Sequence, residues 1–184
     1  VISVITASIP LRTAMLAECM ASVAGQSLRP LEHIVVIDHA RYGSAATRNA
    51  ALGGVRSEWT AVVDDDDILW TDHLAKLSGL TEKADIVYSF CEVTGKNWSP
   101  NADFDPERLR SSNYIPVTSL IRTKLLRKLK GWRDSADSPG GLEDWGLWLR
   151  ALDAGARFVC LPEVTWTYRF HGGNKSVRGE VGAE

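Results

Sequence analysis

Trp59-Thr60-Ala61-Val62-Val63-Asp64-Asp65-Asp66-Asp67 runs from a short β-favouring, apolar stretch straight into four consecutive carboxylates. The first five residues have the composition and length of a buried strand. The four that follow cannot share that burial unless something cationic joins them. Even at an effective dielectric near 20, each adjacent pair of charges repels on the order of kcal/mol. A set of oxygen ligands suits a hard divalent ion, Mg²⁺ or Mn²⁺. Because Mg²⁺ is typically held by one or two carboxylates together with substrate phosphates, a diphosphate ligand follows from the same reading. A solvated acidic turn with Asp72 capping the next helix is the plain alternative.

Outward from this stretch, strands alternate with helices. Ser3 to Thr6 reads as a strand and Arg12 to Ala24 as a helix with Met15, Leu16, Cys19, Met20 and Val23 on one face. Glu32 to Ile37 is a second strand, Ala45 to Leu52 a small-residue helix, Asp72 to Leu80 another helix and Asp85 to Phe90 a fourth strand. This alternation predicts a mostly parallel sheet covered on both faces. Ligands of such sheets bind beyond the carboxyl ends of the strands. Thr6 to Ser8, Asp38 and Asp64 to Asp67 all fall there.

The second half is less regular. Residues 92–113 carry Gly95, Pro100 and Pro106 and read as a long loop, of the kind that forms lids or binding segments. Thr118 to Ile121 reads as a strand, followed by a basic helix with Leu125, Leu126 and Leu129 inward. A helix from Leu142 to Ala154 follows, with Leu142, Trp145, Leu149 and Leu152 on one face. Phe158 to Leu161 and Val164 to Tyr168 read as two strands. With 184 residues the chain fits one domain, divided into a nucleotide-binding half (1–91) and an acceptor and catalytic half (92–184).

Composition excludes several function classes. A net charge of -2 offers no basic stripe for a nucleic-acid backbone. No apolar run approaches the roughly 20 residues of a membrane span, and Val1-Ile2-Ser3-Val4-Ile5 reads as a strand rather than a secretion leader. Three widely spaced cysteines, Cys19, Cys91 and Cys160, fit reduced thiols, so a cytoplasmic location is expected.

An ordered set of motifs resembles the family 2 glycosyltransferases, inverting enzymes of the GT-A fold. It comprises Ser3-Val4-Ile5-Thr6-Ala7-Ser8, Ala21-Ser22-Val23-Ala24-Gly25-Gln26-Ser27, Asp38, Gly43 with Ala46-Thr47-Arg48-Asn49, the aspartate tract, Glu143-Asp144-Trp145 and Tyr168-Arg169-Phe170-His171. The resemblance implies a metal-dependent, hexosyltransferase-type enzyme with a nucleotide-sugar donor, UDP-sugar favoured. Its acceptor would be a glycan, lipid-linked saccharide, small molecule or protein.

The same resemblance implies site roles. Thr6 and Ser8 would contact the nucleoside, Asp38 the base and Arg48 the diphosphate region. Asp64 and Asp66 would be the ends of a D-x-D motif, Asp64 near the ribose and Asp66 nearest the metal, with His171 completing the site. The additional aspartates allow a register one residue removed, which keeps Asp65 in the donor site. Trp145 and Arg169 belong to the substrate-binding set. The family's Pro-Thr-Tyr-Asn-Arg opening is altered to Ala7-Ser8-Ile9-Pro10-Leu11-Arg12, without the tyrosine.

A diphosphate leaving group needs no protonation, so one base for the acceptor hydroxyl suffices. Asp144 is the choice, with Glu143 as an alternative base or an orienting residue. Acidic residues at a helix start are also favoured by the helix dipole alone, by about 0.3–1 kcal/mol. Trp98, Trp132, Trp145 and Trp148 are candidates for stacking on sugars, with Trp148 the most natural core residue. Two other functions compete: a non-catalytic sugar-nucleotide or glycan-binding module of the same fold, and a nucleotidyltransferase. The latter typically has a glycine-rich phosphate loop, and Thr6 to Leu11 contains no glycine.

Overall fold

A computed structural model describes residues 1–96 and 99–171. Strand β1 (Ile2–Ser8) lies between β2 (Glu32–Ile37) and β3 (Trp59–Val62), parallel to both. Two more strands, β5 (Ile86–Val93) and β7 (Phe158–Tyr168), also run parallel to each other. Between β3 and β5 sits β6 (Ser119–Arg122), antiparallel to both. The two-residue β4 (Ile68–Leu69) closes the far edge against β7. Among the described residues the sheet order is therefore β2-β1-β3-β6-β5-β7-β4. The architecture is the expected α/β type with a largely parallel sheet, into the middle of which the antiparallel β6 brings the second half of the chain.

Strand alternation sends side chains to two cores. On one face Ile5, Val62, Ile86, Tyr88 and Ile121 pack under α2 (Ser44–Gly54), α4 (Pro106–Ser111), α5 (Thr123–Lys128) and α6 (Glu143–Asp153). On the other, Ile2, Val4, Ala61, Val63, Val87 and Leu120 meet α1 (Thr13–Ala24) and α3 (His73–Ser78). The buried stripe of α1 is narrower than expected: Leu16, Cys19 and Val23 go in while Met20 stays out.

Three elements depart from their sequence reading. The segment 92–113 is not one loop: β5 extends to Val93, and Pro106–Ser111 is helical. Asp105 accepts from the amides of Glu107 (2.9 Å) and Arg108 (3.1 Å), Pro106 starts the turn, and Leu109 is fully buried. The face of α6 is rotated: Glu143, Leu147, Trp148 and Ala151 are buried, whereas Leu142, Trp145, Leu149 and Leu152 are half-buried. The cause is a charged residue with a buried partner, described below, and Trp148 seated edge-on to Phe158. Finally, Phe158–Tyr168 is one strand whose pairing with β5 slips beside Pro162, not two strands.

Behind α2, Asn49 acts as a clamp. Its Nδ2 donates to the carbonyl of Trp132 (2.7 Å) and its Oδ1 accepts from the Trp132 amide (2.9 Å). The chain reaches Trp132 through Gly131, at φ +67°, and a Cβ there would lie 2.0 Å from Asn49 Oδ1. Gly131→Ala should cost about 1–2 kcal/mol from left-handed backbone and about 1–3 more from the disturbed clamp. Urea denaturation checks this. In an Asn49→Ala background the same substitution should cost visibly less.

Candidate active site

The carboxyl ends of β1, β2 and β3 finish together. Ser8 is in register with Ile37, the Asp38 amide donates to the Ser8 carbonyl (2.8 Å), and that of Val63 donates to Ile5 (3.2 Å). Ser8, Asp38 and the aspartate tract are thereby fixed on one rim. Because β6 runs the other way, its leading end reaches this rim too, as does the end of β7 with Arg169 and His171.

The tract is not a solvated turn. Asp65, Asp66 and Asp67 are 3%, 5% and 2% exposed, and only Asp64 is half-open. Asp72 offers no side-chain cap to α3 and pairs with Lys76 instead. Ser8 Oγ donates to Asp65 Oδ2 (2.6 Å). Arg12 Nη1 bridges Asp65 Oδ1 and Asp66 Oδ2, 2.8 Å from each. His171 Nε2 lies 3.0 Å from the same Asp66 oxygen. Arg169 donates through Nε to the Asp66 carbonyl, pairs with Glu18 and offers its amide to Asp67 Oδ1 (3.3 Å).

Arg12 and Arg169 do not discharge the tract. Burial, then Asp64, push the Asp66 carboxyl above the usual aspartate range, against the pull of His171 and Arg12. Asp67 is held well above it by burial, Asp64 and Asp66. Asp64, Asp66 and Asp67 each offer one oxygen, all within 4.8 Å of one another. Their chemistry and crowding fit a hard divalent cation.

Arg48 connects this tract to the start of α6. Its Nη2 donates to Asp64 Oδ1 (2.5 Å) and its Nη1 to Glu143 Oε1 (2.8 Å). Far from the surface arginine that a small-residue helix suggests, Arg48 is 5% exposed. Burial pulls the pKa of the guanidinium down, but Asp64 and Glu143 outweigh it and hold that pKa above the ordinary value. Ser44 Oγ donates to the same Glu143 oxygen. Glu143 is thus enclosed among donors. Its neighbour Asp144 is more open: Oδ1 accepts from the Trp145 amide (2.8 Å) and Asn113 Nδ2 (3.2 Å). Burial, then Glu143, raise the Asp144 carboxyl, against Arg48 and Asn113.

The remaining expected residues are placed differently. Thr6 turns inward to His33 Nε2 (2.9 Å), away from the rim. Asp38 accepts from the amides of Tyr42 (2.9 Å) and Gly43 (2.8 Å), which lower its pKa, Gly43 foremost, and anchor the loop into α2. Gly43, at φ +93°, makes the turn that lets Asp38 reach these amides. Trp145 spends its indole N–H on the Leu109 carbonyl (2.7 Å) and is half-buried, while Trp132 and Trp148 are core residues. Trp98, a candidate for stacking on sugars, lies outside the described residues. Arg12 and Asn113 escaped the sequence reading as site residues. A cation at the N-terminus of α1, where the helix dipole disfavours it, was the available signal for Arg12.

A sequence model described as Glycosyltransferase like family 2 matches residues 17–178. The chain belongs to this family. Family relatives include the uncharacterised glycosyltransferase YwdF of Bacillus subtilis, 26% identical over 94% of this chain and 76% of its own length. Another is the uncharacterised glycosyltransferase MJ1057 of Methanocaldococcus jannaschii, 24% identical over 75% of this chain and 51% of its own. Among solved structures, S. aureus TarS 1-349 in complex with UDP-GlcNAc superposes with a TM-score of 0.74 at 18% identity, covering 94% of this chain and 59% of that one. The same protein with UDP gives 0.70 at 18% identity, over 92% and 60%. The GT-A fold is shared, and the chain spans about three fifths of the TarS 1-349 chain.

Removing Arg48 would leave Glu143 buried without its cation, and breaking such a pair costs about 3–5 kcal/mol. Arg48→Met should show a loss of that order in chemical denaturation. Adding Glu143→Gln should recover part of it, since the second change removes the stranded charge.

Proposed function

We propose that the protein is an inverting glycosyltransferase that moves a sugar from a nucleotide diphosphate donor, a UDP-sugar by preference, onto an acceptor hydroxyl. The observation that carries this reading is the Arg48 bridge, which ties Asp64 of the aspartate tract to Glu143, the neighbour of Asp144 at the start of α6. The family supports sugar transfer, and the ligands of TarS, UDP-GlcNAc and UDP, support the choice of nucleotide.

In this reading residues 1–91 hold the nucleotide: Asp38 and Ser8 face the nucleoside, with the Thr6 backbone behind them, and Asp64 and Asp65 lie toward the ribose. Residues 92–184 supply the acceptor side, with Arg169 bracing the tract. Asp66, Asp64 and His171, with Asp67 beneath, would hold Mn²⁺ or Mg²⁺. When bound, the ion stabilises negative charge on the departing diphosphate. Arg48 adds a fixed positive charge beside the tract. The half-buried Trp145 flanks the base and can meet the acceptor. Asp144 takes the proton of the acceptor hydroxyl as that oxygen attacks the anomeric carbon and the diphosphate leaves from the opposite face. Glu143, engaged by Arg48 and Ser44, orients rather than reacts. Among the described residues no helix is long and apolar enough to cross a membrane. The free thiols of Cys19, Cys91 and Cys160 support action in the cytoplasm.

Incubation with UDP-, GDP- and dTDP-sugars plus Mn²⁺ should release nucleoside diphosphate. Release of pyrophosphate would identify a nucleotidyltransferase instead, and tight donor binding without any product a non-catalytic module. Asp144→Asn should abolish release while leaving nucleotide affinity close to wild type. Because a base must be ionised and the Asp144 carboxyl is raised, activity should fall as pH drops through a limb above the ordinary aspartate range. Manganese should also raise the free energy of unfolding, by about 2.7 kcal/mol at a hundredfold excess over Kd. In Asp66→Asn that increment should shrink.

A further inference from the structure

Asn113 lies between α4 and β6, and α6 holds this segment on both sides. Trp145 Nε1 donates to the Leu109 carbonyl (2.7 Å) before it, and Trp148 Nε1 to the Ile115 carbonyl (3.0 Å) after it. Tyr114 and Ile115 are buried. The Tyr114 hydroxyl both donates to the Asp105 carbonyl (2.8 Å) and accepts from the Asp105 amide (2.7 Å). The backbone carrying Asn113 is therefore fixed against the first turn of α6, where Asp144 sits.

Two features of the side chain are informative. Its Nδ2 donates to Asp144 Oδ1, the same oxygen that accepts from the Trp145 amide. Among the described residues no hydrogen bond falls on Oδ2 of Asp144. In addition, Asn113 Oδ1 is buried and has no partner. An unpaired buried acceptor costs about 1–3 kcal/mol, and a residue serving stability alone would be apolar here. Turning the amide over would point an oxygen at the Asp144 carboxylate, so the unpaired oxygen is the consequence of donating to Asp144. Such local conflict is characteristic of positions kept for function.

We propose that Asn113 is a positioning residue for proton transfer. Together with the Trp145 amide it occupies Oδ1 of Asp144 and leaves Oδ2 to accept the proton of the incoming hydroxyl. This rests on the reading of Asp144 as the base. The charged groups facing Asp144 are Glu143 on its own helix and Arg48 on α2; the third neighbour, Asn113, is neutral. A hydrogen bond to a carboxylate favours its charged form. Losing Asn113 should thus make Asp144 harder to ionise and move its titration to higher pH.

The test compares wild type, Asn113→Leu, Asn113→Ala and Asp144→Asn, each labelled with ¹³C at the aspartate carboxyls. The Asp144 resonance is the one missing from Asp144→Asn, so it is followed without any acceptor or turnover. In Asn113→Leu the resonance should titrate at higher pH, while thermal stability stays level or rises because the unpaired oxygen is gone. Asn113→Ala gives the same readout should leucine strain the segment. With a UDP-sugar and Mn²⁺, kcat for UDP release should fall about tenfold to a hundredfold, with the donor KM little changed. An Asp144 titration that coincides with wild type in both variants would overturn the assignment of Asn113. If Asp144→Asn turns over normally, the base reading itself fails, whatever the Asn113 variants do. Loss of turnover in Asp144→Asn with an unmoved titration in the Asn113 variants sinks Asn113 alone.

Discussion

A buried guanidinium between two carboxylates is the constraint on which the site depends. Arg48 cannot leave water without partners, and Asp64 and Glu143 cannot approach one another without Arg48. The three come from α2, the end of β3 and the first turn of α6, so their mutual need fixes where α6 begins relative to the sheet. Replacing such a triad by apolar residues is often neutral or favourable for stability. Its presence here makes better sense as geometry: it holds Asp64 and the helix carrying Asp144 on the two terminal nitrogens of one guanidinium. The rotation of α6 follows, because Glu143 must face inward and the tryptophans after it pack accordingly.

The aspartate tract shows the complementary arrangement. Ser8, Arg12, Arg169 and His171 converge on it from both ends of the described chain, yet Asp66 and Asp67 stay reluctant to ionise. A carboxylate cluster that protein cations leave undercompensated has affinity to spare for a further cation. Placing that deficit at the end of parallel strands, where backbone and side chains are rigid, keeps water from relaxing it cheaply.

Most of the first half is legible in the sequence because each element is periodic and punctuated: β1, α1, β2, α2 and β3 follow from apolar spacing and from glycines. The rim position of Ser8, Asp38 and the tract follows from that order of elements. What escaped has identifiable causes. The pair Ile68-Leu69 is too short for any period to register and is a strand only because β7 supplies a partner. Pro162 breaks the pattern of β7 without breaking the strand, since the slipped register absorbs it. Pro100 and Gly95 masked α4, although Asp105-Pro106 is a serviceable helix start. Glu143 defeated the apolar reading of α6 because a charged residue took the inward position. Asn113 is an uncharged residue in an irregular segment, and nothing local distinguishes it; only its distance to Asp144 does.

The antiparallel β6 between β3 and β5 has a further consequence for how the chain is made. During synthesis β1, β2 and β3 can pair as soon as they emerge, but the outer edge of β3, Trp59 to Val62, waits some sixty residues for Ser119–Arg122 to cover it. Until then a row of unsatisfied amides and carbonyls on apolar residues is open to other chains. Closing the sheet is thus a long-range event, slower than forming its first three strands. A nascent chain stalled before β6 would expose its most adhesive surface.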